Sequence, residues 1–287
     1  MIGSFLGVLF DGLAYGMLLF LLSVGLSVTL GMMNFVNLAH CSFAMLGGYV
    51  TVTLMRSFNW PFFATLPVAF AAAAAVSVVL ERTLFRRLYR ASDLDQCLLT
   101  IGIVFMSVAA AAYLFGTVQQ PVELPSYLRG SITVMGISFA VYRLFLVAVG
   151  LAITAILIAA LEYTRFGATV RAAVDNQRMA RGLGINVDGT FAVAFALGSG
   201  LAGLGGSLAI EIIGLDHAFA FVYLVYVLIV VSVGGLGSIG GSFAAATLLG
   251  ISDVAVKYYV PELGAFLIYL VMVGILMWRP TGLFGRR

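Results

Sequence analysis

Residues 12–55 read GLAYGMLLFLLSVGLSVTLGMMNFVNLAHCSFAMLGGYVTVTLM, a stretch without Asp, Glu, Lys or Arg that decides the fold of the chain. A helix that crosses a membrane needs about 20 apolar residues, because each residue rises about 1.5 Å through a hydrocarbon core about 30 Å thick. A run of 44 residues is too long for a single crossing. It therefore contains two helices, and the polar groups within residues 31–40 place the predicted break there.

The overall composition predicts the same class of protein. Of the 287 residues, 62% are hydrophobic and 9% are charged, and the mean hydropathy is +1.12, whereas soluble domains have about 25% charged residues. Backbone groups in lipid are satisfied only in helices or closed barrels, and the long unbroken apolar runs exclude the alternating pattern of barrel strands. The sequence therefore predicts an all-α, polytopic transmembrane helical bundle that forms one domain, residues 1–287.

A second overlong apolar run, residues 217–252, contains the stretch GGLGSIGG at residues 234–241, which is its predicted break. Ser-Phe-Ala follows both breaks, at residues 42–44 and 242–244. Interrupted hydrophobic segments at matching places are typical of transporters with a substrate path at the membrane midplane. Further spans are predicted near residues 61–80, 98–115, 144–161, 191–213 and 263–278. The total is about eight or nine hydrophobic segments, two of them interrupted by glycine or polar residues.

The positions of the basic residues predict the orientation of the chain. Eleven of the fifteen Lys and Arg residues fall in three clusters, which are Arg82, Arg86, Arg87 and Arg90; Arg165, Arg171, Arg178 and Arg181; and Arg279, Arg286 and Arg287. Basic loops remain in the cytoplasm, so these three segments face inward. The segment 116–143 is then an extracytoplasmic loop, in which residues 132–141 alternate as in a short hairpin or a surface-lying piece. The amino-terminal end of the first span is expected outside.

The cytoplasmic segment 164–186 predicts a short helix over residues 168–181. Arg171, Asp175 and Arg178 are spaced by four and three residues, so they share one face of such a helix. An Ala-rich helix with a basic face suits docking to a partner in the cytoplasm. An ordinary basic loop that is helical explains the same residues equally well.

Two groups of residues are candidates for a translocation pathway, because polar groups at membrane depth generally face the bundle interior or a wet cavity. They are Asn34, Asn37 and His40 at the first break, and Gly235, Gly237 and Ser238 at the second. Capping of the helix ends is an equal alternative for the first group. Five titratable residues near span ends are interpreted as interfacial or structural, with Glu211 the deepest. They are Asp11, Glu211, Asp216, His217 and Asp253.

The sequence lacks the motifs of nucleotide-binding proteins and of membrane enzymes. The glycine-rich stretch has no lysine to reach a phosphate, and the single lysine of the chain is Lys257. Hydrolase and zinc motifs are missing as well, and Cys41 and Cys97 indicate neither a disulfide framework nor a metal cluster. We therefore expect that the chain is not an enzyme and has no cofactor of its own. If it serves ATP-driven transport, ATP and Mg²⁺ must be bound by a separate ATPase.

Four ordered motifs are spread over nearly the full length of the chain. They are Asp11–Gly16 with Gly25, Leu26, Gly31, Asn37–His40 and Gly47–Tyr49; Arg171–Val174 with Asn176, Ala180 and Leu183–Asn186; Gly234–Gly241; and Arg279–Gly285. In these motifs the chain resembles the permease subunits of the branched-chain (hydrophobic) amino acid family of ABC importers. The second motif is similar to the loop of that family that contacts the ATPase. The chain departs from the family at Cys41, Gly48 and Asp216-His217, which leaves the substrate open.

The resemblance implies a multi-pass subunit of the bacterial cytoplasmic (inner) membrane that forms half of a pathway for branched-chain or related amino acids and works by alternating access. It implies as partners a second homologous permease, two ATPase subunits, an extracytoplasmic solute-binding protein and membrane lipid, but no nucleic acid. The residues it implies for ATPase coupling are Arg171, Ala172, Asn176, Ala180 and Gly184, and the predicted helix face adds Asp175 and Arg178. The alternatives are a permease for urea, amides or small carboxylates, an ion-coupled secondary transporter, or a membrane enzyme that acts on lipid.

Overall fold

Helices and one β-hairpin make up the computed structural model, which describes residues 2–33, 35–89, 91–122, 124–134 and 136–285. The helices are α1 (Ile2–Met33), α2 (His40–Phe58), α3 (Phe62–Leu80), α4 (Arg86–Leu88), α5 (Asp93–Phe115), α6 (Val141–Tyr163), α7 (Arg165–Asp175), α8 (Gln177–Gly182), α9 (Val187–Ile213), α10 (Phe219–Gly234), α11 (Ile239–Tyr259) and α12 (Gly264–Trp278). A π-helical turn, Glu81–Phe85, joins α3 to α4, and a 3-10 turn, Pro261–Leu263, precedes α12. Strands β1 (Ser131–Val134) and β2 (Ile137–Ala140) pair antiparallel.

The predicted class, an all-α bundle that crosses the membrane several times, is confirmed. Within the described residues, six helices are long and apolar enough to span a bilayer, and α10 and α12 contribute two shorter apolar segments. Together with α2, which begins at His40, they account for the predicted eight or nine segments. The hairpin lies inside the predicted loop 116–143, in the part whose alternation favoured a hairpin or a surface-lying piece.

Helix α1 lies at the centre of the bundle. The side chains of residues 17–22 have 0% of their surface exposed, as expected for a helix that is apolar on every face. Its neighbours approach closely at glycines: a Cβ on Gly16 would lie 2.9 Å from the Cα of Thr247 in α11, and one on Gly25 would lie 2.7 Å from the carbonyl carbon of Gly198 in α9. Small residues permit such contacts in membranes, where packing rather than water exclusion holds helices together.

Helices α2 and α9 form a second close interface through small and hydroxylated residues. A Cβ on Gly206 would lie 2.9 Å from the Cα of Ala44. The Thr51 hydroxyl donates to the Ser207 hydroxyl at 2.9 Å, and Ser207 donates to the Gly47 carbonyl at 3.0 Å. These hydrogen bonds satisfy the hydroxyl groups of Thr51 and Ser207, for which lipid chains offer no hydrogen-bond partner.

Contacts between distant segments define the two ends of the bundle. At one end Asp11 of α1 pairs with Arg143 of α6, and the rings of Phe10 and Phe139 meet at 4.8 Å. At the other end Arg86 pairs with Asp188. The carboxyl-terminal residues Leu283 and Phe284 also donate there, to the carbonyls of Val233 and Gly234 at the end of α10.

The three predicted basic clusters therefore lie at the same end, as the charge pattern requires, except that Arg90, Arg286 and Arg287 lie outside the described residues. We call this the inner end. The opposite end carries the start of α1 and the hairpin, and we call it the outer end.

Candidate functional site

The segment between α6 and α9 is an elbow of two helices, so the predicted single helix over residues 168–181 is wrong. Asn176 has an extended backbone (φ −154°, ψ 93°), and its Oδ1 accepts a hydrogen bond from Met179 N at 2.9 Å. Asn competes with helix continuation in this way and starts a new helix as its N-cap. Because of the break, Arg178 does not share a continuous helical face with Arg171 and Asp175.

Helix α7 is seated against the end of α6. Its buried residues are Gly167, Val170 and Ala173, and a Cβ on Gly167 would lie 2.6 Å from the Cα of Leu161. The Arg171 guanidinium donates to the Leu161 carbonyl, one of the carbonyls that the end of a helix leaves without an intrahelical partner. Arg171 therefore holds the joint between α6 and α7, a role that sequence spacing did not predict.

Helix α8 is tied to the rest of the inner end by one carboxylate. Asp188, in the first turn of α9, accepts from Arg181 at 2.7 Å and also pairs with Arg86 of α4. An acidic residue in the first turn of a helix also complements the helix dipole. The two ion pairs connect the first basic cluster with the second. Arg86 is 102 residues from Asp188 in sequence, and Arg181 is 7 residues from it.

The outward surface of the elbow combines basic and apolar side chains. Met179 is 64% exposed and Leu183 is 76% exposed, beside the exposed Arg178. Exposed apolar groups next to charges at a helix surface are typical of protein interfaces. Of the residues predicted for coupling, Arg171, Asp175, Asn176, Arg178 and Gly184 are exposed, Ala172 is half-buried and Ala180 is buried.

A cavity of about 780 Å³ opens beside α7 at the inner end. It is lined by Gly31 of α1, Glu162 of α6 and Asp175 of α7, and by the turn 236–240 with the tail 280–285. Gly237 and Ser238 line it, and a Cβ on Gly235 would lie 2.9 Å from the Cα of Gly285. The structure thus places the second predicted break at the inner end, and a pathway role for these three residues stays a prediction.

The local geometry explains why that turn is rich in glycine. Gly235 and Gly237 have φ values of +95° and +78°, a region that glycine enters without steric cost. Ser238 accepts from Gly241 N at 3.0 Å as the N-cap of α11.

The first predicted break begins at Gly31 beside the same cavity and ends deeper in the bundle. His40 Nε2 is 3.1 Å from the carbonyl of Leu22, a residue roughly 16 Å along the helix axis from the end of α1. Asn37 Oδ1 accepts from Ala39 N at 3.1 Å, and both side chains are 0% exposed. Asn37 Nδ2 and His40 Nδ1 have no hydrogen-bond partner among the described residues.

The Asn37 contact satisfies a backbone N–H at the break, as the capping alternative expects. His40 instead contacts a carbonyl inside α1 and caps no helix end, and a pathway role for both residues stays a prediction. Asn34 lies outside the described residues. Gln96 of α5 helps to hold the re-entering segment, since its Oε1 accepts from Val36 N at 3.0 Å.

A second cavity, of about 380 Å³, lies at the outer end between α1, α6, α9, α10 and α11. Asp253 lines it and is only 2% exposed, whereas Glu211 is exposed. The interpretation of Glu211 as the deepest carboxylate is therefore wrong with respect to burial. Lys257 Nζ lies 2.6 Å from Asp253 Oδ2 and 5.7 Å from the centre of the Tyr15 ring.

Sequence reasoning missed this cluster, although a signal was present. Asp253 and the single lysine of the chain, Lys257, are four residues apart, the spacing of an ion pair on one helix face. The second pair at this cavity, Asp11 with Arg143, is separated by more than a hundred residues. No local pattern could have joined it to the first.

Comparisons with known proteins cover almost the whole chain. Residues 8–276 match the family described as "Branched-chain amino acid transport system / permease component". The chain is 27% identical to the high-affinity branched-chain amino acid transport system permease protein LivH of Escherichia coli K12, over 98% of this chain and 96% of the relative. It is 26% identical to the probable LivH of Methanocaldococcus jannaschii, over 97% of this chain and 92% of the relative.

A second permease protein of Escherichia coli K12 is also similar. The chain is 25% identical to the permease protein LivM of Escherichia coli K12, over 93% of this chain and 68% of the relative. No solved structure matches the chain significantly. Since the family match runs from within α1 to within α12, the chain belongs to the family of permease components of branched-chain amino acid transport systems.

Proposed function

We propose that this chain forms half of the translocation pathway of an ATP-driven importer of branched-chain amino acids in the cytoplasmic membrane. The names of its relatives support this substrate over urea, amides or small carboxylates. The observation that carries the proposal is the elbow of α7 and α8 at the inner end, where Arg178, Met179 and Leu183 are exposed together. An ATPase subunit binds this surface.

The proposed importer has four further parts. A second permease of the same family completes the pathway, as the similarity to both LivH and LivM supports. Two ATPase subunits supply the energy, since the chain has no glycine-rich loop with a lysine for phosphate. A solute-binding protein delivers the amino acid to the outer end.

Three contacts transmit movement from the ATPase to the spans. Arg171 couples α7 to α6 through the Leu161 carbonyl. Arg181 couples α8 to α9 through its ion pair with Asp188. Arg86, in α4 at the end of the span that begins with α3, forms a second ion pair with the same Asp188. Closure of the ATPase dimer moves the elbow, and these contacts pass the movement to three spans, which gives alternating access to the pathway.

Reconstitution in vesicles tests the proposal. Vesicles that contain both permeases, the ATPase subunits and the binding protein should accumulate leucine only with ATP. Arg178→Glu and Leu183→Asp should each weaken ATPase binding at least tenfold while the permease unfolds at an unchanged temperature, because both side chains are on the surface. Arg82→Glu is the matched control, since it makes the same charge change at an exposed residue of the same end.

Two results would contradict the proposal. One is leucine uptake that an ion gradient drives without any ATPase. The other is ATPase binding that both elbow variants leave unchanged, which would remove the elbow from the interface.

A further inference from the structure

The outer cavity combines two acidic and two basic side chains with an aliphatic wall. Asp11, Arg143, Asp253 and Lys257 supply charges that sum to zero. Ile212, Ile213, Val222 and Val254 supply the apolar lining. Its volume of about 380 Å³ is within the range of sites for small molecules, about 300–1,000 Å³.

Asp253 has an acceptor that nothing in the described chain uses. The residue is 2% exposed, and its Oδ2 is bonded to Lys257 while its Oδ1 is buried without a partner. Buried carboxylate oxygens are costly to leave unsatisfied, so each such atom in a native protein needs an explanation. An ammonium group of a ligand would satisfy it.

The basic side chains of the cavity also have donors to spare. Lys257 is 52% exposed and uses one bond to Asp253, although an ammonium group has three donors. Arg143 is 37% exposed and pairs with Asp11 through one of its nitrogens, although a guanidinium has five donors. A ligand carboxylate can therefore bind without breaking either ion pair.

We propose that the outer cavity is a binding site for a free zwitterionic amino acid with an aliphatic side chain. The ammonium group binds Asp253, the carboxylate binds Lys257 and Arg143, and the side chain packs on the wall formed by α9, α10 and α11. A charge-neutral site of this kind favours a zwitterion over a simple cation or anion, because a singly charged ligand would bring an uncompensated charge into the cavity. The inference rests on the proposed function and adds a substrate site in the permease itself.

The site accounts for a step that the importer needs. An amino acid released at the outer end must be held while the solute-binding protein leaves and the pathway reopens inward. The site between α1, α6, α9, α10 and α11 holds it there. Movement of α9, which the elbow contacts through Asp188, would change the wall at Ile212 and Ile213, at the other end of the same helix.

A binding measurement without the solute-binding protein tests the site. The permease–ATPase complex in lipid nanodiscs is incubated with radiolabelled L-leucine, and three competitors are compared: unlabelled leucine, leucinamide, which lacks the carboxylate, and 4-methylpentanoate, which lacks the ammonium. Leucine should compete at least tenfold better than either analogue. Wild-type complex that binds no leucine, or that does not distinguish the three compounds, would overturn the site without any mutant.

Substitutions test which protein side chain binds each charged group of the ligand. Asp253→Asn should abolish the preference for leucine over 4-methylpentanoate, and Lys257→Gln should reduce the preference over leucinamide, with Lys257→Arg restoring it. Glu262→Gln is the matched control, an exposed carboxylate at the same end. Preferences that Asp253→Asn and Lys257→Gln leave unchanged would show that the pairs only hold the helices together.

The failures of the two proposals are distinguishable. If the complete importer shows no ATP-dependent leucine uptake, the proposed function is wrong. If uptake is normal but the complex neither binds leucine nor distinguishes its analogues, only the outer site is wrong.

Discussion

The guanidinium of Arg181, near the end of α8, lies 2.7 Å from the carboxylate of Asp188 in the first turn of α9. The same carboxylate pairs with Arg86 of α4. One side chain thus joins the elbow to two spans that are distant in sequence. Since the proposed ATPase surface is on the elbow, Asp188 lies between that surface and the pathway helices.

Replacing Asp188 by Asn should uncouple transport from ATP hydrolysis. Both ion pairs are half-exposed, so their loss should change the free energy of unfolding by less than about 1 kcal/mol. The elbow would then move without α4 and α9, and fewer leucine molecules would enter per ATP hydrolysed. Parallel uptake and phosphate-release measurements in vesicles give this ratio. Asp93→Asn, in the first turn of α5 at the same end, is the control, and an unchanged ratio in the Asp188 variant would contradict the prediction.

A methyl group at Gly167 should disturb the joint between α6 and α7. Its Cβ would lie 2.6 Å from the Cα of Leu161, and a backbone cannot move aside as a flexible side chain can. Overpacking of this kind costs about 1–3 kcal/mol, so Gly167→Ala should lower the unfolding temperature of the purified permease. In Gly182→Ala nothing lies within 4 Å of the new carbon, and the protein should unfold at the same or a higher temperature, because Ala favours helix over Gly. Equal unfolding temperatures for the two variants would show that α7 does not pack so closely on the end of α6.

The interface of α2 with α9 depends on Gly206. A Cβ there would lie 2.9 Å from the Cα of Ala44, so Gly206→Ala should force the two helices apart at a cost of about 1–3 kcal/mol or more. We expect a lower yield of monodisperse protein in size-exclusion chromatography and a lower unfolding temperature. The control is Gly102→Ala in α5, where a Cβ meets open space. Full yield and stability of the Gly206 variant would show that the helices do not approach so closely.

Gln96 should stabilise the segment that re-enters the bundle after α1. Its amide accepts from Val36 N at 3.0 Å and donates to the Leu88 carbonyl at 3.2 Å. Gln96→Leu keeps most of the volume but leaves the part-buried Val36 N–H without its partner, which costs about 1–3 kcal/mol. The Leu88 carbonyl still accepts from Ala91 N at 3.0 Å. Thermal unfolding should therefore shift downward, whereas Gln177→Leu, at an exposed position of α8, should leave the unfolding temperature nearly unchanged. A Gln96 variant as stable as the wild type would argue against this role.

Local signals predicted the helical spans closely. The span expected over residues 191–213 is Val187–Ile213, and the one expected over residues 263–278 is Gly264–Trp278. Apolar run length and glycine-rich ends are properties of neighbouring residues, so they are readable without the fold. The single helix that the sequence predicts over residues 168–181 is wrong, because the side chain of Asn176 is an effective N-cap and starts a second helix.

The candidate site was less readable, because its residues are defined by their partners. Arg171 was predicted to face a partner protein, and it also holds the last turn of α6. The two breaks look equivalent in sequence, yet the first runs from Gly31 at the inner end to His40 beside Leu22 inside the bundle, whereas the second stays at the inner end beside α7. The depth of a residue in the bundle depends on how the helices pack together, and this packing cannot be read from a short stretch of sequence.

The sequence by itself determined that this protein lies in a membrane, which end carries the basic clusters, where the two longest apolar runs break and which family the motifs resemble. Each follows from hydropathy, charge or residue order along the chain. Only the tertiary structure decided that Asp253 is buried while Glu211 is exposed, and that Asp11 and Arg143 meet beside the pair of Asp253 with Lys257. The physical reason is that burial and ion pairing depend on helices brought together from distant parts of the chain.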